Sequence, residues 1–119
     1  MKYLCAVYFE EKNLNALTSS EHDALVGESL AYDDDLRRRG HFVVAQALES
    51  VQMATTVRAR HGQVWTTDGP FAETKEQLGG FILIDARDLN EAIQIAARIP
   101  VGRLGCIEVR PVKEFQGPR

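Results

Sequence analysis

Apolar residues fill both sides of the first strand-length segment. In Lys2–Phe9, Tyr3, Cys5, Val7 and Phe9 alternate with Leu4, Ala6 and Tyr8, so both faces of the strand this predicts need cover. The pattern then changes from a period of two to steps of three and four. His22, Leu25, Ser29, Tyr32 and Leu36 follow those steps and predict one stripe of a helix, with Asp34, Arg37 and Arg38 on its other side. Thr18 and Glu21 have the spacing of a capping box at its start, and Ser19 or Ser20 could cap instead. Gly40 suits the position after its end.

Phe42–Leu48 predicts a second strand. Thr55–Arg60 and Gln63–Thr67 flank His61-Gly62, where glycine permits positive φ, and together predict a hairpin. Gly79–Asp85 holds the apolar run Phe81–Ile84 and predicts another buried strand. Asn90 is placed to cap a second helix through Arg98, with Ala92, Ile93, Ala96 and Ala97 apolar and Pro100 ending it. Gly105–Val112 predicts the last strand.

With the hairpin set aside, this order is the ferredoxin-like βαββαβ pattern, an α+β fold. Two helices then cover one sheet face and leave the other bare. A homodimer joining two sheets face to face would cover it, a C2 pair being the commonest assembly, and an open groove for a hydrophobic ligand would do so too. The doubly apolar first strand favours the dimer.

Composition narrows the function classes. The 119 residues fit one domain, 1–119, and 45% hydrophobic with 26% charged residues is an ordinary globular balance. A net charge of −3, with the short basic run Arg37–Arg39 offset by Asp33–Asp35, argues against direct nucleic-acid binding. No apolar run nears the roughly 20 residues of a membrane span, and the N-terminal segment lacks a cleavage site. Cys5 and Cys106 lie in strand-like runs at opposite ends of the chain, which points to buried thiols in a cytoplasmic protein. They are too few for a metal site of their own, no histidine has ligand spacing to either, and no cofactor motif occurs.

The densest run of glycine, proline and charge is TTDGPFAETKEQLGGF, Thr66–Phe81. An aspartate in a loop usually bonds the backbone N–H two residues on, but here that residue is Pro70, which has none. Asp68 must bond Phe71 or Ala72, face solvent, or point at something else. Gly69 and Pro70 fix the backbone around it, and rigid placement suits ligand binding or acid/base work. The plain alternative is a turn in which Asp68 caps backbone donors and Phe71 plugs the core. Thr74 and Gln77 have capping spacing for one helical turn, and Gly79-Gly80 lets backbone approach a neighbour or a ligand.

DGPFAETKEQLGGF resembles the signature of the DGPF branch of the YCII-related family almost letter for letter, and MKYLCAVYFEE and GCIEVRPV fit as well. The resemblance implies a dimeric α/β-barrel form of the ferredoxin-like fold with a site between subunits. Family members are generally described as uncharacterised. Some bacterial relatives are encoded beside extracytoplasmic-function sigma factors, which implies a regulatory link. The wider family's suspected acid/base pair is a histidine and an aspartate. Asp68 corresponds to that aspartate by its place in the motif, and His22, early on the first helix, is the candidate base.

Arg58 and Arg60 share one strand face with Trp65 across the hairpin, a set suited to a carboxylate-bearing ligand, with Phe71 beside it. A solvated outer face of the ribbon explains the same residues. His41 and His61 are expected at the surface. Two classes of function follow. One is a cofactor-free lyase or isomerase using Asp68 and His22 at a dimer interface. The other is a non-catalytic dimer that binds a small molecule or a protein partner.

Overall fold

The computed structural model describes residues 1–115; residues 116–119 of the expected domain lie outside the described residues. Strand β1 (Lys2–Phe9) takes an inner position of a four-stranded antiparallel sheet, with one apolar face in the core and Leu4 and Tyr8 of the other half-buried. It pairs on one side with β5 (Gln77–Asp85) and on the other with β6 (Gly105–Pro111). Strand β2 (Phe42–Ala47) adds to the outer edge of β5, giving the order β2-β5-β1-β6. The hairpin strands β3 (Thr55–Arg60) and β4 (Gln63–Asp68) form a separate two-stranded ribbon. The result is a mixed α+β architecture.

Register decides which side chains share a face. Tyr3, Cys5 and Val7 stand opposite Ile84, Ile82 and Gly80 and turn to the helical layer. That side is the core, with Leu36, Ala92, Ile95, Ala96 and Ile99 packed against it. Leu4, Ala6 and Tyr8 turn the other way with Leu83, Phe81 and Leu78. On that side only the small Ala6 is buried, and Leu78 is 40% exposed.

Helix α1 (Glu11–Asn15) follows β1 and has no sequence signal of its own. Helix α2 (Ser19–Arg38) begins in the expected capping box: the Glu21 N–H donates to the Thr18 hydroxyl at 3.1 Å, and the Thr18 N–H donates to the Glu21 carboxylate at 2.9 Å. Its end is a Schellman arrangement. The His41 N–H reaches the Leu36 carbonyl, the Gly40 N–H reaches Arg37, and Gly40 takes φ 80°. Leu25 and Leu36 of the expected stripe are buried, Ser29 and Tyr32 half-buried, and His22 exposed.

Several boundaries differ from the expected ones. Helix α3 (Leu89–Ala96) is capped by Asp88, whose carboxylate accepts from the Glu91 N–H at 2.9 Å; Asn90 lies inside the helix. The helix ends two residues before Arg98, because Arg98 and Ile99 bond back only three residues. The helical turn expected at Thr74–Gln77 is absent. The Thr74 hydroxyl donates to the Glu76 carbonyl, and the Gln77 amide donates to the carbonyls of Ala72 and Thr74 while Gln77 itself already pairs with Phe9 in the sheet. Cys106 is exposed because it falls on the outer sheet face opposite Tyr8, whereas Cys5 is buried and its thiol is pushed up to about 11. His41 is half-buried, and its Nδ1–H donates to the Asp85 carbonyl at 2.8 Å.

A groove beneath one helix, and an exposed ribbon

The space between α2 and the β2–β5 side of the sheet is a groove with a cavity of about 350 Å³. Its volume follows from side-chain size. On the sheet wall Ala45 and Ala47 of β2 sit beside Ile82 and Gly80 of β5, so the wall is shallow. The adjacent glycines are required there. A Cβ on Gly79 would strike the Phe9 ring, and one on Gly80 would lie 2.8 Å from the Gln46 carbonyl oxygen. The helix wall is bulky: Leu25, Val26 and Leu30, of which Val26 is 45% and Leu30 61% exposed. The lining is therefore mostly apolar with a few polar groups, the usual make-up of a small-molecule site.

His22 and Asp33 mark the polar ends of the helix wall. Eleven residues separate them, which at 1.5 Å per residue is about 16 Å along the axis and returns to nearly the same helix face. His22 stands in the first turns of α2, where the Thr18 cap fixes the backbone and the His22 N–H donates to the Thr18 carbonyl at 2.8 Å. Ser29 and Tyr32 line the groove between the two ends, and the Tyr32 hydroxyl donates to the Ile95 carbonyl at 2.6 Å. Burial pushes the Asp33 carboxyl above its ordinary value, Arg37 opposes that rise and Asp34 adds to it. Burial likewise raises the Tyr32 phenol, against the pull of Arg39 and Arg98.

The other expected site residues lie on or beside the ribbon, and none of them lines this cavity. Arg58 stands directly opposite Trp65, and Arg60 opposite Gln63, so the two arginines and the indole share a face as the alternation predicts. Asp68 stands opposite Thr55 and shares the other face with Val57 and Val64. The ribbon thus sets Asp68 on the side away from Arg58, Arg60 and Trp65. The hairpin turn is His61-Gly62, with φ of 52° and 76°. Every residue of β3 and β4 is exposed except Thr56, and Phe71, just beyond, is 82% exposed rather than a plug in the core.

At the start of the DGPF segment, the Gly69 N–H donates to the Ala54 carbonyl at 2.7 Å and the Thr56 hydroxyl donates to the Gly69 carbonyl at 2.8 Å. Gly69 takes φ 101°. These bonds hold the backbone and leave the Asp68 carboxylate without a hydrogen bond or ion pair among the described residues. Among those residues no three histidine, cysteine or acidic side chains gather where a metal could sit, and no helix is long and apolar enough to cross a membrane.

Sequence reasoning missed Asp33. The signal was present in the run Asp33–Asp35 followed by Arg37–Arg39: helical spacing gives arginine partners to Asp34 and Asp35 before Asp33. It also missed the groove. Small residues at alternate positions of β2 and the Gly79-Gly80 pair, facing a helix stripe, were its trace.

A likeness to solved structures fixes the fold. The 5-chloro-2-hydroxyhydroquinone dehydrochlorinase of Burkholderia phenoliruptrix AC1100, solved in complex with 2,5-dihydroxybenzoquinone, aligns with a TM-score of 0.55 over 97% of this chain and 96% of that one, at 17% identity. In sequence, an uncharacterized protein of Rhizobium meliloti (strain 1021) is 33% identical over 118 residues, which covers 98% of this chain and 95% of that protein. The model of the YCII-related domain matches residues 1–116. This chain belongs to the YCII-related domain family.

Proposed function

We propose that the chain is a small-molecule enzyme of the proton-transfer kind, a cofactor-free lyase or isomerase, and that its substrate lies in the groove under α2. The observation that carries this reading is the 350 Å³ apolar cavity with His22 at one end of its helix wall. Apolar walls exclude water from a bound molecule, and an imidazole at their edge offers a group that can take or give a proton. The dehydrochlorinase with the same fold was solved with a ring-sized molecule, which supports an elimination-type reaction by analogy of fold. The sheet order β2-β5-β1-β6 supports the ferredoxin-like reading, and the DGPF motif at 68–71 supports placement in that branch. The half-buried Leu4, Tyr8, Phe81 and Leu83 support a homodimer joined through the outer sheet face.

A second reading keeps Asp68 as the acid/base group at an interface between copies. The free carboxylate at the end of β4, bound by none of its own loop donors, favours it. A thermal-shift screen of ring-sized apolar compounds separates the two. Ala47→Trp fills the groove from an edge strand, and Asp68→Asn alters the ribbon. The groove reading expects ligand-induced shifts that persist in Asp68→Asn and vanish in Ala47→Trp. Shifts lost in Asp68→Asn and kept in Ala47→Trp would move the site to the ribbon. Binding with no turnover on any chlorinated or enolisable ring compound would leave a non-catalytic binding dimer.

A further inference from the structure

The three consecutive aspartates of α2 are not equivalent. Asp34 holds Arg37 at 2.6 Å, and Asp35 holds Arg39 at 2.9 Å with Arg38 at 3.6 Å. Helical spacing explains the division, since side chains meet at three and four residues. From Asp33 those positions are Leu36, wholly buried, and Arg37, already bonded to Asp34 and stacked over the Phe42 ring at 4.1 Å. Asp33 has no hydrogen bond or ion pair among the described residues, and it lines the cavity. Among the described residues no lysine or arginine lines it, Asp33 is its one acidic side chain, and its one histidine, His22, lies at the far end of the same helix wall. The Tyr32 hydroxyl, beside it in the sequence, is spent on Ile95.

We propose that the groove accepts an apolar molecule carrying a protonated amine, with the amine on Asp33 and the body lying between α2 and β2 toward His22. This rests on the groove being the ligand site and adds the charge of its ligand. A carboxylate short of partners gains most from a cation, through a charge-assisted hydrogen bond. An anionic head would meet Asp33 with Asp34 behind it and, among the described residues, no lining arginine or lysine to answer it. The discrimination comes as much from the missing cation as from the aspartate present.

Isothermal titration with three probes on one naphthalene body tests this: 1-naphthylmethylamine, 1-naphthylmethanol and 1-naphthoate, at neutral pH and low salt. Wild type is expected to bind the amine about tenfold more tightly than the alcohol and the naphthoate most weakly. Asp33→Asn, and independently Asp33→Ser, should bring amine and alcohol to within about twofold of each other. Ala47→Trp should weaken all three alike. Equal affinities in wild type, or an amine preference that survives both Asp33 variants, overturns the charge assignment while the groove stands. Tightest binding of the naphthoate overturns it as well. Binding that Ala47→Trp leaves untouched, or no binding by any probe, overturns the groove itself and the amine preference with it.

Discussion

On the β3–β4 ribbon every residue but Thr56 is exposed, with Trp65 at 50%, whereas the groove under α2 is walled by the sheet on one side and a twenty-residue helix on the other. The ribbon carries the unusual residues: Asp68 without a local donor, two arginines and an indole, and a glycine at φ 101°. The groove is built mostly from common apolar ones, with a histidine, an aspartate and a few other polar side chains among them. Glycine and proline signal a constrained backbone, and constraint by itself encloses nothing. Enclosure arises where small side chains on one element face large ones on another. The ribbon also stands away from the body. The radius of gyration is 16.4 Å, against about 13.5 Å for a compact chain of this length.

The largest expected contrast is in stability. Ile84→Ala removes a side chain with no exposure, and should cost about 3 kcal/mol in chemical denaturation. Val64→Ala, at 67% exposure on the ribbon, should cost less than about 0.5 kcal/mol. A loss above about 1.5 kcal/mol at Val64 would break the comparison by showing the ribbon buried against another chain. Next in size is Thr18→Ala, which removes the cap that sets the first turns of α2 and should cost about 1 kcal/mol. Because those turns carry His22, which lines the groove, it should also weaken ligand binding.

Smaller effects appear against pH. The folded state raises the Asp33 carboxyl, so folding is opposed by its ionised form. That opposition is present at neutral pH and absent below the carboxyl's ordinary value of 3.8, where the group is protonated folded and unfolded alike. Asp33→Asn should therefore raise the melting temperature slightly at pH 7 and leave it unchanged near pH 3. A lower melting temperature at pH 7 would mean that Asp33 has a partner. Glu21 has the opposite sign. Its bonds to Thr18 lower its carboxyl, so its contribution is full above about 4.5 and fades as pH falls through the folded value. Comparing Glu21→Gln with wild type across that range should show the difference shrinking toward acid.

Much of the frame was readable from residue order. Alternation in Lys2–Phe9 marks a strand needing cover on both faces, and it takes an inner position of the sheet. The Thr18–Glu21 spacing becomes a capping box, and His61-Gly62 becomes a turn with two positive φ angles. Local rules suffice there because the partners are a few residues apart. They fail where neighbours compete. Asp88 and Asn90 both offer a cap, and only Asp88 is three residues before the N–H it binds. Thr74 and Gln77 have capping spacing, but Gln77 is drawn into the sheet by Phe9. The groove joins residues from β2, α2 and β5 that are decades apart in sequence, and no window of the chain contains it.

The most direct test is a 15N-labelled spectrum of the protein titrated with 1-naphthylmethylamine. The account expects backbone shifts grouped at 22–33 on α2, 45–48 at the end of β2 and 79–82 on β5, with the ribbon 55–68 unmoved. Shifts confined to the ribbon around Asp68, Arg58 and Trp65, with the groove silent, would contradict it.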